Sequence, residues 1–169
     1  MHSTPRERGA TIHRMEWQEQ WDRVLLGLRR VEQIYAGREG GSAEAVYDLY
    51  SFFLHAYHLR DWLAADPATG LSSTAIDAAI QASTVLGICG DFANRVKHVV
   101  LTRKPWRDAQ TGVTRQNVVV RPATVGSQNV GSASHSWTIT SEEQEYDALE
   151  LAKNVVRAWE ELLKGHDLL

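Results

Sequence analysis

One segment constrains the fold of this chain more than any other: residues 42–65, with the sequence SAEAVYDLYSFFLHAYHLRDWLAA. At about 100° per residue, its apolar side chains fall on several sides of a helix: Phe53 on one, Phe52 on another and Leu54 on a third. A helix that is apolar nearly all round must be surrounded by other elements. The sequence therefore predicts a helical domain with this segment at its centre.

Three further helices are predicted around it. The first begins near residue 16 with apolar positions spaced by three and four, and it ends at the glycines of 37–41. Another runs from about 73 to 101 and contains Gly87 and Gly90, each of which costs about 1 kcal/mol relative to alanine. That cost indicates close packing or a local irregularity. The last helix is expected to begin at residue 140 or 141, with acidic residues in its first turn.

Proline, glycine and β-branched residues replace the helical pattern between these last two helices. The runs 117–121 and 136–140 predict two strands, which place a β-hairpin at about 103–140. The predicted fold class is mainly all-α: a four-helix bundle with a two-stranded β-hairpin insertion before the last helix. Residues 1–14 are predicted to be a flexible N-terminal arm, and residues 15–169 a single domain.

The composition argues against several classes of protein. A net charge of -3 over 169 residues argues against a surface built throughout for nucleic acid, although a local basic patch is compatible with it. Cys89 is the only cysteine, so no disulfide within the chain or cysteine-based zinc module is expected, and a cytoplasmic location is predicted. No apolar run has the length of a membrane span, and no membrane association is predicted.

The residues able to carry chemistry are concentrated in two stretches. These are HAYHLRDW at residues 55–62 and DFANRVKH at residues 91–98. His58 and Asp61 lie three residues apart, and Asp91, Asn94 and His98 follow one helical stripe. Polar groups on central helices are costly to bury unless they are paired. The two helices are therefore predicted either to open onto a cleft there, or to be held in register by a purely structural polar network.

In the functional interpretation, the cleft cleaves RNA without a metal ion. The predicted catalytic residues are His98, Lys97, His58 and Asp91. The predicted substrate-binding residues are Tyr57, Asp61, Asn94 and Arg95. His98 would be the acid/base group, and Lys97 and Arg95 would stabilise phosphate charge. Asp91 or Asp61 would orient a histidine.

The alternative is a non-catalytic module that binds a ligand or another protein. RNA or another phosphate-bearing ligand is the expected partner, met by a basic run of Arg103, Lys104 and Arg107 beside Trp106, and a homodimer is a further possibility. No cofactor or metal site is predicted, because HExxH and related ligand spacings are missing from the sequence. His135 is expected to be a surface residue of the hairpin.

The two stretches also carry a resemblance. FFLHAYHLRDW and ICGDFANRVKH resemble the paired YHLxDW and CxDxxNxxKH motifs of a family of uncharacterised bacterial helical-bundle proteins from mobile and accessory genes. Their helical arrangement is similar to the HEPN superfamily, which implies toxin or phage-defence roles and metal-independent RNA cleavage. Two residues separate Arg95 from His98, where the HEPN ribonuclease motif has four to six. That departure favours the binding alternative.

Overall fold

The computed structural model describes residues 16–37, 42–97, 104–121 and 132–169. The described residues form five α-helices and three β-strands: α1 (Trp17–Tyr35), α2 (Ser42–Ala65), α3 (Ser73–Ala82), α4 (Thr84–Lys97), β1 (Gly112–Arg121), β2 (Ser132–Ser141), β3 (Gln144–Asp147) and α5 (Ala148–Gly165). A mainly helical fold with a small antiparallel sheet before the last helix is thus confirmed. The finer prediction of four helices and two strands needs the two changes described below. The predicted arm at 1–14 lies outside the described residues.

Helix α2 occupies the centre, in contact with α1, α3, α4 and α5. Its side chains are buried on several sides at once, since Leu49, Phe52, Phe53 and Leu63 are all fully buried. The Phe53 ring lies 5.0 Å from the Phe52 ring and 4.8 Å from the Phe92 ring of α4, measured between centroids. The all-round apolar composition of this segment therefore indicated its position correctly.

The third predicted helix, 73–101, is divided at Ser83. The backbone there is extended, with φ −97° and ψ 116°, and the Ser83 N–H closes α3 by bonding to the carbonyls of Ala79 and Ile80. The Ser83 hydroxyl then accepts the N–H of Leu86 at 3.3 Å, which caps the start of α4. A serine that satisfies both helix ends replaces one long helix with two. Residues 98–101 of the predicted helix lie outside the described residues.

The sheet has the order β1-β2-β3 and contains a strand that was not predicted. Residues 142 and 143 were expected in the first turn of the last helix. Instead, Glu142 and Glu143 adopt positive φ angles of 49° and 62° and form the two-residue turn between β2 and β3. Helix α5 starts only at Ala148, where the Asp147 carboxylate accepts the N–H groups of Leu149 and Glu150.

Strand β2 joins the sheet to α1 and α5, because its alternate residues are buried against them. His135 is one of these and is only 1% exposed, so the prediction of a surface histidine was wrong. Its ring stacks on Trp137 at 5.9 Å between centroids. The Tyr35 hydroxyl of α1 accepts the N–H of Trp137 at 3.0 Å and that of Leu149 at 3.3 Å, which links all three elements. Burial is the main cause that raises the pKa of Tyr35 to about 12.

Candidate functional site

The site is organised by a buried carboxylate on α4. Asp91 is 1% exposed, and its two oxygens accept three backbone N–H groups from residues 104–111, here called the 104–111 segment. Oδ1 accepts from Trp106 at 2.7 Å, and Oδ2 accepts from Arg107 at 2.6 Å and Asp108 at 2.8 Å. Successive N–H groups converging on one anion form a compact and strong arrangement. The segment between α4 and β1 is thereby fastened to the helix.

The surroundings of Asp91 define its role. Burial raises the pKa of its carboxyl above the ordinary value, while the three N–H donors act in the opposite direction. Asp91 was predicted to be a catalytic residue, as a group that could orient a histidine. In the described part of the chain its hydrogen bonds go to main-chain amides. Its observed contacts are those of a group that shapes the site.

The two glycines of α4 make room for the same segment. A Cβ atom at Gly90 would lie 2.8 Å from Cδ1 of Trp106 and 2.9 Å from Cε2 of Tyr57. At Gly87 it would lie 2.9 Å from Cγ of Arg107. Contacts this short require the neighbouring side chains to move if an alanine replaces either glycine, and the rigid Trp106 and Tyr57 rings at Gly90 have less freedom to do so than the Arg107 chain at Gly87. Close packing thus accounts for two glycines in a helix interior.

Two arginines add to the attachment. Arg107 donates from Nη2 to the carbonyl of Gln81 at 2.7 Å, near the C-terminal end of α3, where such carbonyls lack helical partners. Arg95 donates from Nη1 to the carbonyl of Ala109 at 3.2 Å and to Oε1 of Gln110 at 3.1 Å. Arg95 was predicted to bind substrate phosphate, and here it contacts the 104–111 segment.

A pocket of about 390 Å³ opens between this segment and helices α2, α3 and α4. Its lining residues are Tyr57, Asp77, Gln81, Asn94, Lys104, Pro105 and Trp106. The Trp106 indole donates from Nε1 to the Tyr57 hydroxyl at 3.3 Å, which joins two of its walls. The pocket brings together Tyr57 and Asn94, both predicted as substrate-binding residues. Asp77 and Gln81 were not predicted as site residues. They lie on α3, which the sequence pattern joined to α4 as one helix without the bend at Ser83.

The acidic and the basic residue that line the pocket differ in whether they have an ion-pair partner. Asp77 is paired with Arg60, whose Nε donates to its Oδ1 at 3.0 Å, and Arg60 also donates from Nη1 to Asp61 at 2.7 Å. Burial opposes the charge of Arg60, yet the hydrogen bond to Asp77 and the nearby acidic groups outweigh it and raise the pKa of Arg60. Lys104 is exposed at the pocket wall, and no ion pair joins it to a carboxylate among the described residues. Among the residues that line the pocket, Lys104 is therefore a cation without an ion-pair partner in the described part of the chain.

His58 and Asp61 form a separate pair on α2. His58 Nδ1 lies 3.0 Å from Asp61 Oδ2, and both side chains are partly exposed. The hydrogen bond from His58 is the main cause that lowers the pKa of Asp61, with Arg60 adding to it. Neither residue lines the pocket. Lys97 is exposed at the last described turn of α4, and His98 lies outside the described residues.

Other reactive groups are placed elsewhere. Cys89 is buried with its Sγ 3.7 Å from the carbonyl of Phe53, and burial raises the pKa of this thiol well above its usual range. His55 faces α1, where its Nδ1 lies 3.2 Å from Nε2 of Gln20, and burial lowers its pKa. Within the described ranges, no three His, Cys, Asp or Glu residues are grouped to hold a metal ion. No helix in those ranges is long and apolar enough to cross a membrane.

Comparison with known proteins gives no relative: no family model, curated protein or solved structure matches this chain. The resemblance to the YHLxDW and CxDxxNxxKH family therefore stays a prediction. The geometry of the pocket and of its supporting contacts is the basis for the proposals below.

Replacing Asp91 by asparagine tests the supporting role of this residue. The amide keeps the size of the side chain but has one acceptor oxygen, and its NH₂ group faces backbone donors. We expect Asp91→Asn to lower the free energy of unfolding in urea by about 1–3 kcal/mol, which is the cost of a buried polar group left unsatisfied. Asp22→Asn, at an exposed position of α1, is the control and should leave stability unchanged. If Asp91→Asn and Asp22→Asn had the same free energy of unfolding, the supporting role of Asp91 would be contradicted.

Proposed function

We propose that this protein binds a small phosphate-bearing ligand in the pocket between α2, α3, α4 and the 104–111 segment. The observation that carries the proposal is the charge of Lys104, which has no ion-pair partner among the described residues, at the wall of a pocket whose one lining carboxylate, Asp77, is paired with Arg60. An anion would compensate that charge. This is the non-catalytic alternative among the functions predicted from the sequence.

The lining residues fit a ligand with both a phosphate and a planar ring. Lys104 would contact the phosphate, and the amides of Asn94 and Gln81 offer donors and acceptors for orientation. Trp106, which is partly exposed, supplies aromatic surface of the kind that stacks on the bases of nucleotides or single-stranded RNA, and the largely buried Tyr57 supports it from behind. A volume of about 390 Å³ is in the range of small-molecule sites. A nucleotide, free or at the end of an RNA, has this combination of groups.

Removing the charge of Lys104 tests the proposal. We expect wild type to bind nucleoside monophosphates in calorimetric titration, and Lys104→Ala to bind them roughly 10- to 100-fold more weakly, because a charged hydrogen bond contributes about 1.5–3 kcal/mol. Lys164→Ala, an exposed lysine at the end of α5, is the matched control and should bind like wild type. Wild type that binds neither nucleotides nor inorganic phosphate would contradict the proposal, as would equal affinities of the two variants.

Metal-independent RNA cleavage is the second candidate, and the His58–Asp61 pair is the observation that favours it. A carboxylate hydrogen-bonded to Nδ1 fixes the orientation of an imidazole and leaves Nε2 for proton transfer. This interpretation retains the predicted roles of His58, Asp61, Lys97 and His98. It also agrees with the HEPN-like resemblance and the accessory, toxin or defence role in bacterial cytoplasm that the resemblance implies.

The second candidate predicts a defined pattern of cleavage. Wild type incubated with total RNA and tRNA should cleave them equally with and without EDTA, and His58→Ala and His98→Ala should each lose the activity while melting at the wild-type temperature. His166→Ala, at an exposed position after α5, should cleave normally. Intact RNA after incubation with wild type would remove this candidate and leave the binding proposal in place.

A further inference from the structure

Strand β1 leaves a long apolar edge exposed. It is ten residues long and, within the described ranges, lies at the edge of the sheet, paired with β2 on one side. Val118, Val119 and Val120 are 46%, 56% and 70% exposed. Three consecutive exposed valines on an edge strand form a template for pairing with another chain.

The exposed valines belong to both faces of the sheet. Val118 lies opposite His135 and Val120 opposite Ala133, so both share the helix-facing side of the sheet with the buried His135. Helices α1 and α5 pack against β2, and the same side of β1 extends past them. Val119 lies opposite Ser134 on the outer side. Apolar surface is therefore available on each side of this edge.

The usual protections of an edge strand are missing from its centre. Proteins commonly prevent edge-to-edge pairing at such strands with charged residues, prolines or β-bulges. The bulge of β1 lies at its base, between Val113 and Arg115. The following stretch at 116–120, QNVVV, contains neither a charge nor a proline. This stretch is regular, and it has the features that edge-to-edge pairing requires.

We propose that β1 pairs antiparallel with β1 of a second copy of this chain. The two-fold axis would be perpendicular to the sheet, which joins the two three-stranded sheets into one of six strands. Such an axis keeps the helix-facing sides of both copies on the same side. Val118 and Val120 of one copy thus meet the same residues of the other. Each copy covers apolar surface that the monomer exposes to water.

The sequence of β1 selects one register. Residues that lie directly opposite must share a face, so a register centred on Val119 places Val118 opposite Val120 of the second copy and Val119 opposite its own counterpart. Asn117 then lies opposite Arg121. A register centred on Val118 would instead place Arg115 opposite Arg121, two like charges. Charge and apolar matching both favour the Val119 register, and this is why a second copy is the occupant.

Charge exchange at the two helix-facing valines tests the interface. Wild type should show a mass approaching twice the monomer value of 19.0 kDa as concentration rises in sedimentation or light scattering. The variants V118K/V120K and V118E/V120E should each stay monomeric, since like charges oppose each other. An equimolar mixture of the two should dimerise again, because opposite charges then face each other.

Controls make the outcome decisive. Tyr47→Lys, at a 72% exposed position of α2, adds the same charge to a helical surface and should leave the dimer intact. Val119→Lys gives an independent variant with one change, which opposes itself across the axis and should also give a monomer. Three outcomes would overturn the proposal: a wild-type mass of 19.0 kDa at all concentrations, a dimer that persists in the charged variants, or a dimer lost only in Tyr47→Lys. A mixture that fails to dimerise would also overturn the proposal. A dimer that persists only in Val119→Lys would overturn the register, because position 119 lies opposite its own counterpart only in the register centred on it.

Discussion

The buried carboxylate of Asp91 is the interaction on which the site depends. It accepts three N–H groups from Trp106, Arg107 and Asp108, and it thereby fixes the path of the chain between α4 and the sheet. That path places Lys104 and Trp106 opposite α2 and α3, so the pocket exists only while the segment is held. A carboxylate at this depth is stable because its desolvation is offset by hydrogen bonds, and the same dependence makes its loss costly.

The remaining contacts also hold the 104–111 segment against α3 and α4. Gly87 and Gly90 let the segment approach the helix axis, Arg107 binds the end of α3, and Arg95 binds the far end of the segment. Three residues that resemble catalytic or phosphate-binding groups in the sequence, Asp91, Arg95 and Arg107, therefore have hydrogen bonds to the main chain of this segment or of α3. The pocket lining retains a lysine, two amides and the partly exposed ring of Trp106, and these groups are the basis of the proposed binding of a phosphate-bearing ligand.

Sequence reasoning predicted those features that depend on local patterns. The central position of α2 follows from apolar residues such as Phe52 and Phe53 on different sides of one helix. The break at Ser83 was missed because a serine inside an apolar pattern is compatible with a continuous helix, and only the cap bonds reveal otherwise. Strand β3 was missed because the Glu142–Glu143 turn has positive φ angles without the glycine or asparagine that usually signals them. The role of Asp91 depends on amides 15–17 residues away, which no spacing rule identifies.

Hydrogen exchange of the wild-type protein tests the central claim most directly. If Asp91 holds the 104–111 segment, the backbone amides of Trp106, Arg107 and Asp108 are hydrogen-bonded to a buried carboxylate and should exchange as slowly as the amides in the middle of α4. Exchange of these three amides at the rate of an open loop, with α4 still protected, would contradict the account.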